Sequence, residues 1–152
     1  MNDMETMREA LKEAASAGED IPVGAVLVKD GEIIARAHNE RVGNPEGIFG
    51  HAEMLCMQHG AKALKTERLT GCTLYVTLEP CPMCAGAMML AGLEECVFGA
   101  YDSRQGCCGS VYDLPEDSRF YHRVPVSGGL MEAESAGLLR DFFENRRSKE
   151  DG

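Results

Sequence analysis

A three-layer α/β fold, with helices on both faces of a mixed five-stranded sheet, is what this sequence predicts. Runs rich in β-branched and apolar residues alternate with runs of helical periodicity along the chain, the pattern of an α/β domain. An Asp-Gly pair separates the first two strand-like runs, which calls for an antiparallel hairpin; helical runs separate the later strands, which calls for parallel crossovers. The chain has 152 residues, 44% hydrophobic and 26% charged, with no repeat or low-complexity linker, so one domain over residues 1–152 is expected.

The elements follow in order. Met4, Met7, Leu11, Ala14 and Ala15 recur at helical spacing, predicting a helix over 3–17 that stops at Gly18. Strands over 23–28 and 32–37 flank Lys29-Asp30-Gly31. Gly43, Asn44, Pro45, Gly47 and Gly50 mark a loop. Residues 51–64 read as a helix, and 72–78, mostly apolar, as a buried central strand. Residues 82–93 form a small-residue helix with Pro82 in its first turn. Short strands are expected over 96–98 and 124–126, a loop over 106–109, and an amphipathic helix over 130–147.

Composition narrows the function classes. No apolar run is long enough to span a membrane, and the acidic, polar N-terminus lacks the layout of an export signal, so a cytoplasmic protein is expected. The seven cysteines are then expected to bind metal or fill the core rather than pair; Cys56, Cys72 and Cys96 lie in apolar runs and read as core. A net charge of −10 argues against a generic nucleic-acid coat, although a local basic patch could still be built from Arg104, Arg119, Arg123, Arg146 and Arg147.

Two short motifs carry the chemistry. His51-Ala52-Glu53 and Pro80-Cys81-Pro82-Met83-Cys84 both fall at loop-to-helix junctions. Cysteines at a helix start face the positive end of its dipole, which favours the metal-binding thiolate. Three ligands, His51, Cys81 and Cys84, would leave tetrahedral zinc one open corner for water, the catalytic rather than the structural pattern. Zinc lowers the pKa of such a water to about 7. Glu53, unligated and two residues from His51, is placed to shuttle its proton. A CxxC also marks redox pairs and structural zinc knuckles. A redox pair leaves His-x-Glu unexplained; a structural site needs a fourth ligand, for which Cys72, Cys107, Cys108 or His122 could serve. His38 and His59 stand outside both motifs and read as surface or structural.

H-x-E with P-C-x-x-C is the known signature of zinc nucleobase deaminases. Residues 21–28, 73–81, 83–88, 97–100, 106–110, His122-Arg123 and 138–143 extend the likeness: the chain resembles bacterial tRNA-specific adenosine deaminases of the TadA type. That resemblance implies a cytidine-deaminase-like fold, a homodimer, one zinc per subunit, and conversion of adenosine to inosine at the wobble position of a tRNA anticodon loop. It implies His51, Cys81 and Cys84 as metal ligands, Glu53 as the proton shuttle, and Asn39, Val26, Leu78 and Asp102 as substrate contacts. One departure stands out. Family members commonly carry Pro-Thr-Ala before His-Ala-Glu, where this chain has Gly47-Ile48-Phe49-Gly50 in a loop one residue longer. Phe49 could stack on a base, narrow the entrance or pack, and packing is the expectation. Two other readings compete: a deaminase of a free base or nucleoside of the guanine or cytosine type, and a non-enzymatic zinc or RNA-binding module.

Overall fold

The computed structural model describes residues 1–45 and 47–151. Among the described residues four helices and five strands make up the regular structure: α1 (Asp3–Ala15), β1 (Gly24–Lys29), β2 (Glu32–His38), α2 (Ala52–Leu64), β3 (Cys72–Leu78), α3 (Pro82–Ala91), β4 (Glu95–Ala100), β5 (Val126–Ser127) and α4 (Glu132–Asp151), with a 3-10 turn at Gly47–Phe49. The strand order is β2-β1-β3-β4-β5; β1 pairs antiparallel with β2 and β3, and the β3/β4 and β4/β5 pairs are parallel. The mixed sheet is therefore the one expected from the hairpin signal and the helical crossovers.

Local chemistry sets the elements. The Asn2 side chain caps α1 by accepting from Glu5 N–H at 2.8 Å. The hairpin turns on Asp30 and Gly31, both at positive φ (51° and 77°), the geometry that makes Asp-Gly a hairpin signal. Pro125 lacks an N–H, and β5 begins only after it, at Val126, two residues later than expected.

Alternation along the strands divides the core into two layers. Ala25, Leu27, Leu74, Val76, Cys96 and Phe98 face α2 and α3, whose buried sides include Cys56, Met57, Ala85 and Met88. Val26, Tyr75 and Val97 face the other way, against Met7 and Ala10 of α1, with Leu130 and Met131 alongside. A bulge shifts the β1/β2 register: Leu27 pairs with Ala35 but Val28 pairs with Ile33. The extra residue reverses side-chain alternation, so Ile33 joins the α1 layer while Ala35 and Ala37 join the α2 layer. Among the described residues no helix is long and apolar enough to cross a membrane.

Candidate metal centre and active site

Two helix starts meet at the carboxyl end of β3. His51 is the N-cap of α2 and Cys81 the N-cap of α3, both in extended backbone, and neither side chain caps its own helix. Pro82 takes the first helical position, where its missing N–H goes unmissed. Cys84 lies in the first turn of α3, and Glu53 in the first turn of α2. The positive ends of two helices thus converge on two sulfurs and one carboxylate.

The donor set fits zinc. His51 Nδ1 lies 3.6 Å from Cys81 Sγ and 3.7 Å from Cys84 Sγ. Tetrahedral zinc, bonded at about 2.3 Å to sulfur and about 2.05 Å to imidazole nitrogen, requires N···S edges near ~3.6 Å. Among the described residues no fourth His, Cys, Asp or Glu joins this group. Cys72, Cys107 and Cys108 are buried as free thiols elsewhere, and His122 Nε2 is bonded to Leu93 O at 2.9 Å. The three-ligand arrangement with an open corner is the one the donors support.

Protonation at the site is set by burial and mutual contact. The Cys84 thiol donates to Cys81, and with His51 beside it the Cys81 thiolate is held down at about 4. The same contact, together with burial, raises Cys84 well above the ordinary thiol range. The Cys81 sulfur raises His51 in turn. Burial pushes the Glu53 carboxyl up to about 7, where it both accepts and donates protons near neutrality. Glu53 is 4% exposed and lies in reach of both the Cys84 thiol and the His51 ring without joining the donor group.

The residues expected to touch substrate fare differently. Asn39, 7% exposed, accepts from Ala52 N–H through Oδ1 at 2.9 Å. That bond fixes the amide orientation and leaves Nδ2, without a partner among the described residues, free to donate. Leu78 and Asp102 line one cavity of about 450 Å³ with Tyr101, Arg104 and Phe143. Val26 does not reach the site: it is completely buried under α1, on the sheet face opposite the donor cluster. On the donor face near the end of β3, the corresponding residue is Val23, two before Ala25, which pairs with Val76. Phe49 does not pack either; it is 60% exposed in the 3-10 turn before His51, and Ile48 beside it is 67% exposed. Of the candidate arginines, Arg104 lines the cavity, whereas Arg119 is paired with Asp117 and Arg146 lies over the Phe142 ring.

Two buried acids shape the surroundings, and motif reading passes over both. Asp20 accepts from Arg41 N–H and Val42 N–H at 2.5 and 2.9 Å, tying the long loop before α2 to the start of β1. Glu79, between Leu78 and Pro80, accepts four hydrogen bonds from residues 102–110. Its signal in sequence is an acid inside an otherwise apolar strand exit, two residues before Cys81.

Residues 1–100 match the cytidine and deoxycytidylate deaminase zinc-binding region. The chain is 52% identical over 145 residues to the tRNA-specific adenosine deaminase of Bacillus subtilis (strain 168), covering 94% of this chain and 89% of that one. A solved structure described as a study of A-to-I editing by tRNA:A34 deaminases superposes with a TM-score of 0.83 at 42% identity, covering 89% of this chain and 99% of the other. A guanine deaminase from Bacillus subtilis aligns at 36% identity and a TM-score of 0.62, over 66% of each chain.

Proposed function

We infer, because this chain belongs to the cytidine and deoxycytidylate deaminase family and within it to the tRNA-specific adenosine deaminases, that it is a zinc-dependent hydrolase converting adenosine to inosine at wobble position 34 of a tRNA anticodon. The observation that carries the reading is a three-donor cluster beside an unligated, buried acid, in a chain whose likeness to a tRNA-specific enzyme runs over 94% of its length. On this reading residues 1–152 work as one deaminase domain.

His51, Cys81 and Cys84 would hold the ion. When bound, zinc supplies the Lewis acidity that makes water nucleophilic near neutral pH. Glu53 does the proton work. Its carboxylate takes a proton from the water that attacks C6 of adenine and passes it to the adjacent ring nitrogen; it then takes the second proton, from the hydroxyl now on C6, and gives it to the departing amine, so that adenosine and water leave as inosine and ammonia. Burial suits this role by raising the carboxyl above the ordinary carboxylate range, which makes it a readier proton carrier than an exposed acid. The free Nδ2 of Asn39 donates to an acceptor on the base edge or ribose, and Leu78 and Asp102 contact the nucleotide at the cavity they share. A stacked base cannot enter such a site; an anticodon loop offers an unpaired one at small unstacking cost. Arg104, in the lining of that cavity, gives phosphate a local counter-charge within a chain of net charge −10.

The functional unit is a homodimer. The supporting feature is an apolar groove of about 200 Å³ between α2 and α3, lined by Met54, Met57, Leu69, Ala87 and Ala91 among others, with Leu90 83% exposed nearby. The free thiols suit the reducing cytoplasm as its place of work.

The test is a substrate comparison at low and moderate salt, because RNA binding depends on ionic strength. An anticodon stem-loop with adenosine at the wobble position is set against free adenosine, guanine and cytosine. Inosine in the stem-loop is the expected outcome. Ammonia from a free base with an unaltered stem-loop would transfer the assignment to a free-base deaminase.

A further inference from the structure

Residues 101–110 connect β4 to the rest of the chain without helix or strand, yet they supply Tyr101, Asp102 and Arg104 to the lining of the cavity that Leu78 shares. An irregular loop holds one shape only if its backbone polar groups are satisfied in that shape. Here they converge on one side chain. Glu79, 2% exposed, accepts from Asp102 N–H at 2.9 Å and Ser110 Oγ–H at 2.5 Å through Oε1. Through Oε2 it accepts from Cys108 N–H at 3.0 Å and Ser110 N–H at 2.9 Å. Every partner lies in the loop, 23 to 31 residues away in sequence.

The rest of the loop conforms to this arrangement. Asp102 Oδ1 accepts from Arg104 N–H and Gln105 N–H, and Asp102 O accepts from Gly106 N–H, so the segment curls back around the carboxylate. Gly106 closes the curl; a Cβ there would collide with Glu79 Cδ and Asp102 O. On its other side Glu79 is continuous with the metal-ligand turn. Its N–H donates to Ala100 O at 2.8 Å, and Pro80 O accepts from Cys107 N–H at 2.8 Å.

We propose that Glu79 is a positioning residue for the RNA substrate: its carboxylate holds loop 101–110 in the form that presents Asp102 and Arg104, and locks that form to the turn carrying Cys81. The inference rests on the reading of Asp102 as a substrate contact. It makes a prediction that space-filling does not. In Glu79→Gln one carboxylate oxygen becomes an NH₂ group, which in either orientation points a donor at buried loop donors. The isosteric variant therefore loosens the loop, although it fills the same volume.

The experiment uses the full zinc-loaded chain, with Glu79→Gln and Ser110→Ala compared with wild type. Readouts are zinc content, kcat and KM on an anticodon stem-loop, and hydrogen exchange of loop peptides spanning 101–110. For Glu79→Gln the expected result is one zinc per chain, KM raised about tenfold or more with kcat changed far less, and loop exchange faster by about tenfold or more. Ser110→Ala, which loses only the Oγ bond, should raise KM about threefold and carries the test if Glu79→Gln does not fold. Unchanged KM and loop exchange in these variants would overturn the proposal. So would loss of zinc in a folded Glu79→Gln, or a fall in kcat alone, since either would move the role to the metal turn. If wild type leaves the stem-loop unaltered, the deaminase reading falls by itself, and the exchange arm still decides whether Glu79 holds the loop.

Discussion

Asn39 gives the sharpest separation of folding from function, because its two amide atoms have different employers. Oδ1 accepts from Ala52 N–H, the first helical residue of α2, directly after His51. Nδ2 has no protein partner among the described residues and is the atom we assign to substrate. In Asn39→Ala both are lost. The Ala52 N–H is buried, and leaving it without an acceptor costs about 1–3 kcal/mol. For a domain of this size that lowers Tm by about 2–10 °C. In Asn39→Asp the acceptor survives, and its charge at the start of α2 contributes about 0.3–1 kcal/mol. Stability should therefore stay within about 1 kcal/mol of wild type. Function should not. The donor is replaced by an acceptor, which forfeits one hydrogen bond and leaves a substrate acceptor facing another, about 2–4 kcal/mol together. That is a fall of about 30- to 700-fold in kcat/KM. Thermal unfolding and stem-loop deamination, run on both variants, check the two halves. Full activity in Asn39→Asp would refute the assignment of Nδ2 to substrate; wild-type stability in Asn39→Ala would refute the structural role of Oδ1.

Other outcomes follow from the same geometry. Glu53→Ala should keep one zinc per chain and lower kcat by about 10²–10⁴-fold; metal content and single-turnover rates distinguish this from a ligand's role, which loss of zinc would indicate. Cys84→Ala should lose zinc and deamination together, and full activity in the metal-free variant would overturn the mechanism. Zinc uptake should release protons, because Cys84 and His51 are both raised above their ordinary values whereas Cys81, at about 4, is already a thiolate at pH 7. Affinity should thus weaken as pH falls, and titration calorimetry in buffers of different ionisation enthalpy should find at least about one proton released; none would contradict the protonation states described. On the proposed homodimer, wild type should sediment as a dimer and Ala91→Glu in the α2/α3 groove as a monomer; a monomeric wild type would refute the dimer, and an intact Ala91→Glu dimer would refute the groove as its interface.

What the sequence determined by itself was local in origin. Asp30-Gly31 requires a hairpin turn, Cys72–Leu78 is apolar enough to be nothing but a buried strand, and His51, Glu53, Cys81 and Cys84 belong to motifs whose spacing is set by single helix turns. Such features depend on residues a few positions apart, and a linear reading captures them. Tertiary structure decided whatever depended on distant partners. The bulge between β1 and β2 reverses alternation, and only the pairing with Leu27 and Val28 shows which face Ile33 takes. Val26 sits in a matching motif, yet the sheet turns it under α1 and away from the donors. Phe49 is apolar and still exposed, on the turn directly before His51. Glu79 looks like an isolated acid in an apolar segment until the fold brings Asp102, Cys108 and Ser110 around it. A buried carboxylate takes its meaning from the donors that meet it, and these lie more than 20 residues away along the chain.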